Sequence, residues 1–155
     1  MTVLSAQAIA ARSWMIDPFQ EQGIDFGMTF GLGPCGYDVR VEFDSEGKVD
    51  EQVVMPGMFI LASTVERFKM PGDLVGIVHD KSSWARRGIA VQNTVIEPGW
   101  QGWLTLEISN HSVHSVSLKR GMPIAQIMFH RLDEPTVMPY KGKYDQQARG
   151  PQKPR

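Results

Sequence analysis

At 155 residues the chain has the length of one domain able to bury a real core, and its apolar (42%) and charged (21%) fractions are those of an ordinary globular protein. A formal net charge of -1 gives no global electrostatic case for nucleic-acid binding. No apolar run approaches a membrane span, the N-terminal MTVLSAQAIAARSW lacks the plan of a secretory signal, and the single cysteine, Cys35, excludes an internal disulfide framework, so a reducing, cytoplasmic setting is expected.

Residues 4–12 read as a short helix, with Ser5 a candidate N-cap and Ala-rich content behind it. Asp17-Pro18 ends that region, because the residue before proline avoids helical geometry. Tyr37 to Phe43 alternates apolar and polar residues, the signature of a half-buried strand, and Asp44-Ser45-Glu46-Gly47 is a turn. Pro56-Gly57 precedes a short apolar strand over 58–62, and Pro71-Gly72-Asp73 precedes another over 74–78. Ser82 to Arg87 reads as a turn or one to two turns of helix, followed by a strand over 89–91. In 103–108 the alternation puts Trp103, Thr105 and Glu107 on one face and Leu104, Leu106 and Ile108 on the other. Val116–Leu118 and Pro123–Phe129 are the last strands. Short strands at turn-punctuated intervals indicate an all-β barrel or sandwich. From Pro135 the texture changes: residues 141–155 carry five Lys/Arg against one Asp. The expected organisation is a β-domain over 1–134 and a tail over 135–155, free or ordered over an anionic ligand by donors such as Lys143, Tyr144, Gln147 and Arg149.

Lys81, Ser82, Ser83 and Arg86 lie within six residues. Phosphate oxygens want hydroxyls, backbone N–H groups and cations, and Arg can engage two oxygens at once. A solvated turn leading into a helix fits the same residues, and no Walker-type glycine loop is present. Glu107, on an apolar-flanked strand, is a proton carrier if burial raises its pKa, or simply a charge on an exposed strand face. Glu97 falls at the turn Glu97-Pro98-Gly99, ten residues before Glu107. The four histidines show no metal spacing. A zinc-dependent base deaminase needs a C-x-x-C element that one cysteine cannot supply, so no zinc is expected.

In order and spacing, four segments resemble the motifs of the dCTP deaminase and trimeric dUTPase superfamily. Gly36-Tyr37-Asp38-Val39-Arg40 is similar to its first motif, and Lys81-Ser82-Ser83-Trp84-Ala85-Arg86-Arg87-Gly88 to its phosphate-binding motif. Ile96-Glu97-Pro98-Gly99-Trp100-Gln101-Gly102 resembles its hairpin, and Gly121-Met122-Pro123-Ile124-Ala125-Gln126-Ile127 the motif on a late strand. A glutamate at position 107 and a close through Pro139-Tyr140, Lys143-Tyr144 and Arg149-Gly150-Pro151 resemble the deaminase branch. The hairpin acid is Glu97 where the superfamily usually has Asp, and the base-reading segment Asn93-Thr94-Val95-Ile96 is shortened.

The resemblance implies a distorted β-barrel of the jelly-roll type, assembled as a homotrimer with sites between subunits. It implies zinc-independent deamination of dCTP to dUTP, with Glu107 as general base and proton shuttle and Ser82 and Arg86 near the reacting end or on phosphate oxygens. Lys81, Ser83, Lys143 and Gln147 would position the triphosphate, with Mg²⁺ carried on its oxygens. Asn93, Thr94, Trp100, Gln126 and Tyr140 would contact the nucleotide, Trp100 packing near the deoxyribose. No nucleic-acid or membrane partner is implied. The alternatives are a dUTP diphosphatase or bifunctional enzyme in which Glu97 orients the attacking water, and a nucleotide-binding regulator without turnover.

Overall fold

The computed structural model describes residues 2–154. In chain order they form β1 (Thr2–Val3), α1 (Ala6–Ala10), a 3-10 turn (Ser13–Met15), β2 (Ile16–Asp17), β3 (Gly23–Asp25), β4 (Met28–Leu32), β5 (Tyr37–Glu42) and β6 (Glu51–Val54). There follow β7 (Phe59–Lys69), β8 (Leu74–Asp80), α2 (Ser82–Ala85), β9 (Ile89–Val91), β10 (Val95–Ile96), β11 (Gln101–Asn110), β12 (Val116–Lys119) and β13 (Pro123–Arg131). The expected all-β architecture with a short N-terminal helix is the one observed. A curled sheet runs β10-β8-β13-β5-β7-β11-β9, and β12 pairs with β6 beside it. Among the described residues, no helix is long and apolar enough to cross a membrane.

The strongest predicted strand is the best formed. Along β11 burial alternates residue by residue, so Leu104, Leu106 and Ile108 enter the core while Trp103, Thr105 and Glu107 stay half-buried on the other face. Val39, Val41, Phe68, Leu74, Val78, Ile127 and Phe129 complete a core shared by the central strands. Each fully buried aliphatic or aromatic side chain of this kind contributes on the order of 1.5–3 kcal/mol.

Strand β7 is longer than expected: it continues through Ser63, Thr64 and Glu66, all fully buried. These polar residues hide the strand in the sequence, and the fold satisfies each of them. Thr64 Oγ1 donates to Glu66 O at 2.6 Å and accepts from Leu104 N at 3.1 Å. Arg40 donates to Glu66 through its backbone N (3.0 Å) and its Nε (2.7 Å). The register slips here, Trp103 pairing with Arg67 but Thr105 with Ser63, and such an irregularity bends a strand. The helix expected over 4–12 is confined to Ala6–Ala10, and Ser5 makes no side-chain cap bond. The segment after Lys81 is a single helical turn.

Candidate active site

Strand β11 forms one wall of a cavity of about 390 Å³ with Thr105 and Glu107 on it. Phe59 and Leu61 of β7, Thr94 to Glu97 around β10, and Trp100 form further walls. The rest comes from the tail, through Tyr140, Tyr144, Gln147, Gln152 and Pro154. Pairing of β11 with β7 sets Leu61 directly opposite Glu107, so an aliphatic side chain is its cross-strand neighbour. Burial therefore pushes the Glu107 carboxyl above the ordinary carboxylate range, its own backbone N–H opposing the shift. An acid poised in this way can hold a proton at a pH where a solvated glutamate has lost it. Glu97 lines the same cavity but remains exposed, at the rim.

Two glycines allow the tail to reach this cavity. Gly102 pairs with Gln147 in a parallel bridge, and a Cβ on Gly102 would lie 2.6 Å from both N and O of Gln147. A Cβ on Gly99 would lie 2.7 Å from Cβ of Pro139, beside the bond from Tyr140 N to Pro98 O. The spacing Gly99-Trp100-Gln101-Gly102 thus serves the tail as well as the turn. Between the glycines, Trp100 Nε1 donates to Tyr144 O at 2.7 Å.

Gln147 is placed differently from the expectation that it holds phosphate. Its Nε2 donates to Trp103 O and to Thr105 Oγ1, both at 2.8 Å. A primary amide has two N–H donors. Both are used within the chain, which leaves a ligand only the acceptor Oε1. Lys143 Nζ sits 5.0 Å from the centroid of the Tyr144 ring.

A second group of predicted residues lies off this cavity. Ser82 and Arg86 are exposed and Ser83 is half-buried on α2. Gln126 sits in register between Asp38 and His79, and Asn93 is exposed beside Thr94. Among the described residues, Thr94, Glu97, Trp100, Glu107, Tyr140 and Gln147 line the cavity; Lys81, Ser82, Ser83, Arg86, Asn93, Gln126 and Lys143 do not. Lys81 differs most from the expected phosphate contact. Its side chain is 8% exposed and pairs with Asp38 Oδ2 at 2.5 Å and Thr29 Oγ1 at 3.1 Å. The cation is directed inward because a buried aspartate needs it there, its other oxygen, Oδ1, lacking any hydrogen-bond partner among the described residues.

Several cavity residues carried no sequence assignment. Phe59 and Leu61 reach it only through the pairing of β7 with β11, which no local pattern reveals. Thr105 was legible in part, because strand alternation put it on the face of Glu107. Gln152 and Pro154 had no signal. Among the described residues, no group of three or more His, Cys, Asp or Glu is placed to hold a metal ion. The cavity offers the carboxylates of Glu97 and Glu107, a donor set that fits Mg²⁺ only as a partner to a ligand's own oxygens.

A family model described as dCTP deaminase-like matches residues 40–132. A dCTP deaminase from Campylobacter fetus is 39% identical over 159 aligned positions, covering 86% of each chain. The fold is similar to that of 2'-deoxycytidine 5'-triphosphate deaminase from Agrobacterium tumefaciens, with a TM-score of 0.65 at 21% identity over 84% of this chain. The present chain spans 47%, about half, of that protein. A dUTPase from phage phi11 of Staphylococcus aureus, in which a structural Mg(II) ion is coordinated, has a TM-score of 0.55 at 14% identity, covering 81% of this chain and 92% of its own. The proteins this curled β-fold and sequence resemble, dCTP deaminases and dUTPases, are a class of nucleotide hydrolases. Within that class, the chain belongs to the dCTP deaminase-like family.

Proposed function

We propose that the protein deaminates dCTP to dUTP by hydrolysis, with Glu107 as the group that moves protons. The observation that carries this reading is the half-buried Glu107 carboxyl, its pKa raised by burial, on the wall of a largely apolar cavity with room for a nucleoside. Glu107 takes a proton from water as the water oxygen bonds to C4 of the cytosine. It then returns that proton to the exocyclic nitrogen as the C4–N bond breaks, so ammonia leaves, and the proton of the new C4 hydroxyl passes to ring N3, leaving a C4 carbonyl. Thr94 and Trp100 line this cavity, so Thr94 with the neighbouring backbone would read the pyrimidine edge and Trp100 would pack against the sugar. The tail excludes bulk water, which strengthens each polar contact inside. Mg²⁺ would be held chiefly by the triphosphate, whose charge it offsets, with Glu97 at the cavity rim as a nearby carboxylate.

Ser82, Ser83 and Arg86, the phosphate-binding candidates at α2, do not line the Glu107 cavity of their own chain. That separation favours a homotrimer in which a neighbouring subunit brings them to the site. A second reading is favoured by Glu97 lining the same cavity: a dUTP diphosphatase, or a bifunctional enzyme, in which Glu97 orients water toward the α-phosphorus.

The test is incubation with Mg²⁺ and either dCTP or dUTP, all products being resolved by ion-exchange chromatography. Conversion of dCTP to dUTP alone is expected, and dUMP from dCTP would establish the bifunctional enzyme. Hydrolysis of dUTP with dCTP untouched would overturn the deaminase reading.

A further inference from the structure

Thr105 Oγ1 is the point where the tail meets β11 beside the carboxylate. It accepts from Gln147 Nε2 at 2.8 Å and from Gln152 N at 3.0 Å, so two tail residues five positions apart converge on one atom. A hydroxyl has two lone pairs and one proton. With the tail docked both lone pairs are occupied, and the proton is the only hydrogen-bonding capacity left. Thr105 stands two positions before Glu107 on the same strand face and lines the same cavity.

We propose that Thr105 is a positioning residue for the deamination proposed above, one that couples closure of the tail to binding of the nucleotide. With the tail closed, its hydroxyl proton turns into the cavity and meets an acceptor oxygen of the nucleotide. With the tail open, the two lone pairs return to water and the orientation is lost. Each hydrogen bond polarises the others, so ligand and tail favour one another at this atom. The proposal also gives Gln147 a mechanical role, because its two amide donors clamp the tail to Trp103 O and Thr105 and are not offered to phosphate.

The inference rests on the deaminase reading only for its kinetic part, so the test has two readouts. Hydrogen exchange on the full-length protein without ligand follows the Gln152 amide in native, Thr105→Val and Thr105→Ser proteins. Valine keeps the shape and branching of threonine without the hydroxyl, whereas serine keeps the hydroxyl. About tenfold faster exchange at Gln152 is expected in Thr105→Val, the loss of one or two net hydrogen bonds, with most protection restored in Thr105→Ser. Kinetics with dCTP should show KM raised about tenfold in Thr105→Val, with a smaller change in kcat and rescue by serine. Gln147→Leu, which acts from the tail side, should speed exchange at Gln152 as Thr105→Val does.

Unchanged Gln152 exchange in Thr105→Val would overturn the proposal, as would a serine variant no better than valine. If the native protein does not turn over dCTP, the deaminase reading fails on its own, and the exchange series still decides whether Thr105 holds the tail.

Discussion

Lys81 Nζ and Asp38 Oδ2 form an ion pair between side chains that are each 8% exposed, joining the turn before α2 to β5 across 43 residues of sequence. Removing one partner leaves a buried charge unmatched. Lys81→Met is therefore expected to lower stability by about 3–5 kcal/mol, read as the shift in a urea unfolding midpoint. Adding Asp38→Asn should recover part of the loss. An unshifted midpoint with a raised KM for dCTP would instead make Lys81 a phosphate contact.

Glu107→Gln separates chemistry from stability. Loss of a general base should lower kcat by about 10²–10⁴-fold. Burial raises the Glu107 pKa above its ordinary 4.5, so the folded state binds the proton more tightly than the unfolded chain does. The cost of carrying this carboxylate is thus absent below pH 4.5 and complete above the raised folded value. The variant should melt higher than the parent at neutral pH, and the difference should close as pH falls toward 4.5. Thermal melts from pH 4 to 8 would show it, and a constant difference across that range would contradict the desolvation account.

Gly102→Ala tests the seating of the tail. The new methyl would lie 2.6 Å from the Gln147 backbone on a residue whose φ is +140°. Expected is a tail cut readily by protease after residue 135, and a KM raised by about tenfold or more. The core lies on other residues and should survive, so far-UV circular dichroism should be unchanged. Retained protection of the tail would show that β11 can shift to admit the methyl.

Subunit mixing tests the origin of Ser82 and Arg86. Glu107→Gln and Arg86→Ala proteins, each inactive, are unfolded together and refolded at equal ratio. If each site takes Glu107 from one subunit and Arg86 from a neighbour, random trimers should recover roughly a quarter of native activity. No recovery would mean that both groups act within one chain.

The parts of this molecule legible in the sequence were those with a local cause. Glu107 was singled out because β11 alternates without a break, and alternation is imposed by the pleat. The single turn after Lys81 and the turns at Pro56-Gly57 and Pro71-Gly72 were likewise written in adjacent residues. The second half of β7 was not, because Ser63, Thr64 and Glu66 look like surface residues until Leu104 N and Arg40 are brought to them. Lys81 shows the same limit: a lysine beside two serines signals an anion, and only the pairing of distant strands brings Asp38 to it. Phe59 and Leu61 entered the cavity through strand register, a property of two segments jointly.

Strand β11 carries buried and half-buried residues in strict alternation, and this makes it tolerant and brittle at once. Many substitutions at Trp103 or Ser109 alter only the outer face. A single codon inserted between Gly102 and Glu107 would exchange the faces, turning the carboxylate into the hydrophobic interior and Leu106 into the cavity. Changes in length are therefore best accommodated in the turns that flank the strand, residues 97–100 before it and 111–115 after it. A library that diversifies this protein by substitution at Trp103 and Ser109, and by length only in the turns flanking β11, would keep its members folded.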